Sequence, residues 1–283
     1  MNQLEVIPPQ LCLWCGSKYF VKNGRKLTGL QNYKCRDCKR QFTARSGSFW
    51  AGMRYPREAV FATLALKFLG KASYGSILIL LNLLLGLRVH SKNTIWHWVI
   101  KCETAFDIVH NSYKKSYGRR DWHLDEIFCR VKGSTSKKGY AYILVVSDNK
   151  GNILGTHVSF DRDTESVEQV FAKIVDKETR SPKFFVTDHW KPYHEAILFN
   201  FSKVKHVRTG IKPKRVQRKK KRYRFSVNQH ERVNGDIQPW LYPMRGFKNL
   251  SSANKIMNMF RIHYTACKQI GHEEFWTRLK CIR

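Results

Sequence analysis

The chain is poor in acid. Its 283 residues hold 21 Asp and Glu against 52 Lys and Arg, a formal net charge of +31, and an excess of that size points to a polyanionic partner, nucleic acid first. It also lacks a long apolar run. The best stretch, Ile77 to Leu87, is eleven residues interrupted by Asn82 and Gly86, whereas a membrane span needs roughly 18 or more; a buried helix is expected there. The first nine residues show neither the basic nor the apolar region of a secretory signal, so a cytoplasmic protein is expected. Apolar residues themselves are plentiful, at 42% hydrophobic and 13% aromatic. That is enough for a real core and excludes wholesale disorder.

Eight cysteines in a long chain without a secretory signal favour reduced thiols or metal ligation over a disulfide scaffold. Four of them form two Cys-x-x-Cys pairs, Cys12 with Cys15 and Cys35 with Cys38, 19 residues apart. That spacing lets two turns close a tetrahedral thiolate cage, so residues 1–50 are expected to be a zinc ribbon holding one structural Zn²⁺. The bland alternative is four unrelated buried thiols. Cys102, Cys129, Cys267 and Cys281 lack such pairing and are expected to be core or incidental.

Residues 51–112 are expected to be a small all-helical domain. Pro56 suits a helix start, a second helix follows from Ser73 to Leu85, and Ser91 can cap a third. On that third helix Ile95, Trp98, Val99 and Cys102 fall on one face and Lys92, Asn93, Trp96 and His97 on the other. This is helix-turn-helix spacing, with donors where base edges would lie; a helical linker or dimerisation hairpin is the bland alternative.

From residue 113 onward strands dominate. Trp122–Val131, Tyr140–Ser147 and Asn152–Phe160 read as three strands, the last two joined by the turn signal Asp148-Asn149-Lys150-Gly151. A helix from Thr164 to Glu178, a strand from Lys183 to Asp188, a helix from Lys191 to Phe199 and a strand from Val204 to Val207 complete a mixed α/β sheet. That order fits an RNase H-like fold. Ser226 with Gln229 makes a capping box, so a helix is expected from Val227 to about Gln238, with Asn228, Glu231 and Asn234 on a polar stripe.

Three acids stand out. Asp125 interrupts a strand that is apolar on both faces, where a carboxylate is costly unless paired or metal-bound. Asp188 ends its strand, where open α/β sheets place ligands, and Glu231 lies on the polar stripe. Two Asp and one Glu can hold two divalent ions about 4 Å apart, the arrangement that activates a hydroxyl at a phosphodiester. Salt bridges to the many basic residues are the alternative.

These residues carry a resemblance. Asp125-Glu126 in a strand, Arg162-Asp163, Phe185-Val-Thr-Asp188 followed by Tyr193, Ala196 and Ile197, Asn228-x2-Glu231-x2-Asn234, and Gly246-Phe247 before Ser251-Ser252-Ala253 resemble the DDE transposases of prokaryotic insertion sequences. The likeness is to the insertion-sequence-six type with a zinc ribbon and helix-turn-helix in front, and it spans residues 10 to 265. It implies an RNase H-like catalytic domain over 113–283 and two Mg²⁺ or Mn²⁺ ions held by Asp125, Asp188 and Glu231. It also implies binding of terminal inverted repeats, strand cleavage and joining on double-stranded DNA at the nucleoid, and a homodimer on the DNA. Arg162 and Asn228 would stand beside the acids in support. A regulator that has lost transposition, or a nuclease or resolvase on the same fold, are the alternatives.

The chain departs from the family pattern in one place. Between Asp188 and Glu231 lie 42 residues, because Lys212 to Arg224 places nine Lys or Arg in thirteen positions; Glu195 lies too close to Asp188 to be the third acid. The basic insertion, residues 209–226, is expected to contact DNA phosphate through Lys214, Arg215, Lys219, Lys220, Lys221 and Arg222, or else to be a solvated loop. Tyr223 and Phe225 are candidates for stacking on bases, with core packing the alternative for Phe225.

Overall fold

A computed structural model describes residues 8–26, 29–48, 50–53, 55–118, 121–134, 139–175, 182–201, 203–209, 214–218, 221–225 and 228–282. The N-terminal unit is a three-stranded antiparallel sheet of β1 (Phe20–Arg25), β2 (Gln31–Cys35) and β3 (Gln41–Thr43). Its apolar content is small: Phe20, Tyr33 and Phe42 meet ring to ring at 5.3–5.7 Å. Cys12 and Cys35 are buried beside them, so the cysteines provide much of the interior.

Four helices follow: α1 (Arg57–Phe68), α2 (Tyr74–Leu85), α3 (Lys92–Lys101) and α4 (Glu103–Asn111). The Ser73 and Ser91 hydroxyls accept from backbone N–H groups at the starts of α2 and α3, as their residue types predict. Gly86, at φ +60°, ends α2. Asn82 closes the turn beyond it, its side chain both donating to the Val89 carbonyl and accepting from the Val89 N–H at 2.9 Å. The polar residue that interrupts the apolar run is thus what folds it back.

The larger sheet contains β4 (Asp121–Arg130), β5 (Tyr140–Asp148), β6 (Ile153–Ser159), β7 (Phe184–Thr187) and β8 (Lys205–Arg208), in the order β6-β5-β4-β7-β8. The first three form an antiparallel meander, and β7 and β8 add in parallel beyond β4. With α5 (Thr164–Val175) and α6 (Lys191–Asn200) as crossovers, this is the RNase H-like sheet. The hairpin between β5 and β6 turns at Gly151, φ +74°. Buried Asp148 binds it together, accepting from the Gly118, Lys150 and Asn152 backbones and the Asn152 side chain at 2.5–2.8 Å.

The basic insertion forms a two-stranded antiparallel hairpin, β9 (Lys214–Arg218) and β10 (Lys221–Phe225), where the sequence pattern signals no regular structure. Phe225 is buried against Phe184, ring centroids 4.7 Å apart, so core packing is its role. The chain then enters α7 (Asn228–Leu241), α8 (Leu250–Ile270) and α9 (His272–Cys281). Before α8, Gly246 lies at φ +121°, where a Cβ would come within 2.8 Å of the Arg130 carbonyl oxygen. The close approach lets Phe247 bridge to the end of β4, which accounts for the Gly246-Phe247 motif.

Two cores flank the sheet. On one face Trp122 and Leu124 of β4 pack with Val170 and Phe171 of α5 and Ala196 and Ile197 of α6. On the other, Ile127 and Cys129 of β4 join Val233 and Ile237 of α7 and Ile256 and Met257 of α8 in a core that continues into α1, α3 and α4. This second core joins the N-terminal helices to the C-terminal ones: Trp240 Nε1 donates to the Lys67 carbonyl at 3.0 Å, and Phe106 meets Phe275 at 5.5 Å. α8 packs along β6.

Candidate active site and thiolate cage

Strand register brings the two aspartates together. In β4 and β7, Asp121 lies opposite Phe184 and His123 opposite Val186; carrying that parallel register forward two residues sets Asp188 beside Asp125. The carboxylate oxygens of Asp125, Asp188 and also Glu126 lie within 4.8 Å of one another. Alternation along β4 turns Asp125 and Glu126 to opposite faces, and their partners differ accordingly.

Glu126 faces α6. The Tyr193 hydroxyl donates to its Oε2, and Arg162 Nη2 lies 2.6 Å from its Oε1. The same guanidinium nitrogen is 3.2 Å from Asp188 Oδ2 and the group lies 4.2 Å from the Trp190 ring centroid. Burial pushes the Glu126 carboxyl up, and Tyr193 and Arg162 work against that rise. Asp188 Oδ1 accepts the Trp190 N–H at 2.8 Å.

Asp125 faces α7. Asn234 Nδ2 donates to its Oδ2 at 3.0 Å, with no cation beside it among the described residues. Burial, followed by the neighbouring Glu126 charge, raises its carboxyl to about 7. Glu231 is exposed on α7, one turn before Asn234 and so on the same helix face. It is not among the three acids whose oxygens converge.

A half-buried group of three carboxylates with one guanidinium carries surplus negative charge, and its donors are all hard oxygens. Both features fit Mg²⁺ or Mn²⁺. In the ribbon, Cys12 and Cys38 Sγ stand 3.7 Å apart, as do Cys15 and Cys35 Sγ, and all four sulfurs lie within 4.8 Å of one another. A tetrahedron with Zn–S bonds of about 2.3 Å has edges of about 3.8 Å. The four thiols therefore fit zinc, and 3.7 Å is far too long for a disulfide.

The remaining expected residues are placed as follows. Lys92, Asn93 and His97 are exposed on α3 and Trp96 is half-buried; Lys248 Nζ donates to Asn93 Oδ1 at 2.7 Å and lies 4.2 Å from the Trp96 ring centroid. Lys214 and Arg215 are exposed on β9. Lys219 and Lys220 lie outside the described residues, as do Ser226 and Val227, and so do the side chains of Lys221, Arg222, Tyr223 and Asn228. The sequence pattern assigns no role to Glu126, although it singles out Arg162, the ion-pair partner. Cys102 and Cys129 are buried in the core and Cys281 is exposed, as expected.

An RNase H-like sheet with clustered carboxylates at the β4–β7 junction defines the class: metal-dependent phosphoryl transfer on DNA. The chain belongs to the DDE transposases, the model of the IS240-type DDE domain matching residues 119–269. The chain is also similar to the HTLV-2 integrase catalytic core domain in complex with magnesium. Against the dimeric form the identity is 16% over 44% of this chain and 70% of that one, TM-score 0.31. Against the trimeric form it is 16% over 60% and 100%, TM-score 0.36. A simian T-cell lymphotropic virus intasome in complex with PP2A regulatory subunit B56 gamma matches at 10% over 78% and 65%, TM-score 0.32. These likenesses are remote, and membership rests on the family match. No curated protein matches the chain.

Proposed function

We propose that this protein binds the terminal inverted repeats of its own mobile element, cuts the DNA there and joins the freed ends to a target. The convergence of Asp125 and Asp188 at the β4–β7 junction carries the reading. With Glu231 from α7 they hold the divalent ions, which when bound activate the attacking hydroxyl and stabilise the leaving oxygen. Asn234 keeps Asp125 oriented, the Trp190 N–H does the same for Asp188, and Arg162 with Tyr193 fixes Glu126 and the strand it sits on.

Water attacks a phosphodiester at each element end and releases a 3′-hydroxyl. That hydroxyl then attacks a target phosphodiester, whose own 3′-oxygen departs. The helix carrying Lys92, Asn93, Trp96 and His97 reads element ends in the major groove. The hairpin carrying Lys214, Arg215, Lys219, Lys220, Lys221 and Arg222, next to α7, contacts phosphates without regard to sequence. Two copies act together on two ends, in the cytoplasm at the nucleoid.

The test is a Mg²⁺-dependent cleavage and strand-transfer assay on a plasmid carrying the native locus with its flanks, comparing wild type with Asp188→Ala. Defined 3′ cuts at the element ends and joined products, both lost in the variant, are expected. Specific binding without cleavage would favour a regulator, and cuts that never join would favour a nuclease.

A further inference from the structure

The C-terminal helices hold a third group of metal-ligating side chains, unrelated to the thiolate cage and to the carboxylates. His263 and Cys267 lie four residues apart on α8, hence on one face. Gly271, at φ +83°, reverses the chain, and His272 opens α9. The ligand atoms of the three residues lie within 4.8 Å of one another. We propose that His263, Cys267 and His272 bind a zinc-type divalent transition ion that clips α8 to α9.

The strongest pointer is His263. It is 5% exposed, and its Nε2 is buried without a hydrogen-bond partner among the described residues. Buried polar atoms are almost always satisfied, and an orphan needs an explanation. The rings of Phe275 at 5.1 Å and of Phe68 and Trp276 at 5.7 Å surround the imidazole, and none of them hydrogen-bonds to its Nε2. A cation held between the three converging ligand atoms takes an imidazole lone pair of His263.

The donor set names the class of ion. Two imidazoles and one thiolate are too soft for Mg²⁺ or Ca²⁺ and suit Zn²⁺. Binding replaces the thiol proton of Cys267, which goes to solvent. His272 is exposed, so the fourth position of the tetrahedron opens outward to water. The geometry is that of a clip: α9 sets Phe275 against Phe106 of α4, and fixing its first residue to α8 secures the side of the molecule on which the helical N-terminal unit packs. The sequence marks Cys267 as incidental because no second cysteine lies near it; its partners are one helical turn back and across a glycine reversal.

The full-length protein is produced with zinc and dialysed against excess Mg²⁺ so that the carboxylates carry no zinc, and bound zinc is then counted by mass spectrometry. Wild type is expected to hold one zinc per chain more than Cys267→Ser and more than His272→Asn, a substitution at an exposed position that leaves the core untouched. In parallel, Co²⁺ substitution should give a thiolate-to-cobalt charge-transfer band in wild type that is weaker in Cys267→Ser. Equal zinc content in all three proteins, or a cobalt spectrum that Cys267→Ser leaves unchanged, would overturn the assignment.

Discussion

Asp125 and Glu126 are adjacent in one strand and face opposite sides of one sheet, and the two sides treat charge differently. On the α5–α6 side Glu126 is met by a guanidinium and a phenol. On the α7 side Asp125 has a side-chain amide and, among the described residues, no cation. Beside the far end of α7, Lys67 is fully buried with the Ala72 carbonyl and the rings of Tyr74 and Trp240 near its ammonium. Asp148 shows what a purely structural acid looks like here, with four hydrogen-bond donors converging on it. A buried acid left short of partners is the one available to bind a cation.

The largest effect that would break this contrast is on activity. Asp125→Asn or Asp188→Ala is expected to lower Mg²⁺-dependent DNA cleavage by about 10³-fold or more, as removal of a chemical group does, with the fold intact by circular dichroism. Glu126→Gln, by contrast, should act mainly on stability. It leaves Arg162 paired, among the described residues, with Asp188 alone and costs about 1.5 kcal/mol in urea unfolding, while cleavage by the folded fraction falls less than about 10-fold.

Asn234→Ala tests the side-chain amide that supports Asp125. Removing such an orienting partner is expected to cost about 10–100-fold in Mg²⁺ affinity or cleavage, read from the Mg²⁺ dependence of the rate. Asn234→Ala should leave unfolding within about 1 kcal/mol of wild type.

Lys67 sharpens the comparison through pH. Burial lowers its pKa from 10.5 to about 7, so between these values the unfolded chain binds a proton that the native chain does not. Stability therefore rises with pH across that window, by at most about 1.4 kcal/mol per unit. Lys67→Met has no such dependence, so its stability relative to wild type should fall from pH 7 to pH 10; a constant difference would show that the ammonium is fully compensated by the two rings. The smallest effect is expected from the hairpin. Lys214→Gln with Arg215→Gln should lower the slope of log affinity against log salt by about 1 for each phosphate that the hairpin no longer neutralises, with cleavage chemistry unchanged.

Much of this architecture is legible in the sequence. The paired Cys-x-x-Cys spacing locates the cage because the ligand geometry itself demands those intervals, and hydrophobic period locates β4 to β8, α5 and α6 to within a few residues. The facing of Asp125 is not legible, because β4 is covered on both sides and its apolar residues do not alternate with polar ones. Glu126 escapes notice for the same reason: its partners, Arg162 and Tyr193, come from a loop and a helix 36 and 67 residues further on. The β9–β10 pairing is hidden because its strands lie in a run of cations with no Gly, Asn or Pro over 214–225 to signal a hairpin. The extension of one core from the sheet into α1, α3 and α4 depends on α7 to α9 returning to the N-terminal helices, a long-range packing that no local pattern encodes.

The most direct measurement sets Asp125→Asn beside Glu126→Gln in one Mg²⁺-dependent cleavage assay on DNA carrying the native element ends, at a temperature where both variants are folded. Cleavage abolished in the first and retained in the second is the expected result. Retention in Asp125→Asn with abolition in Glu126→Gln would place the chemistry on the other face of the strand and contradict the assignment.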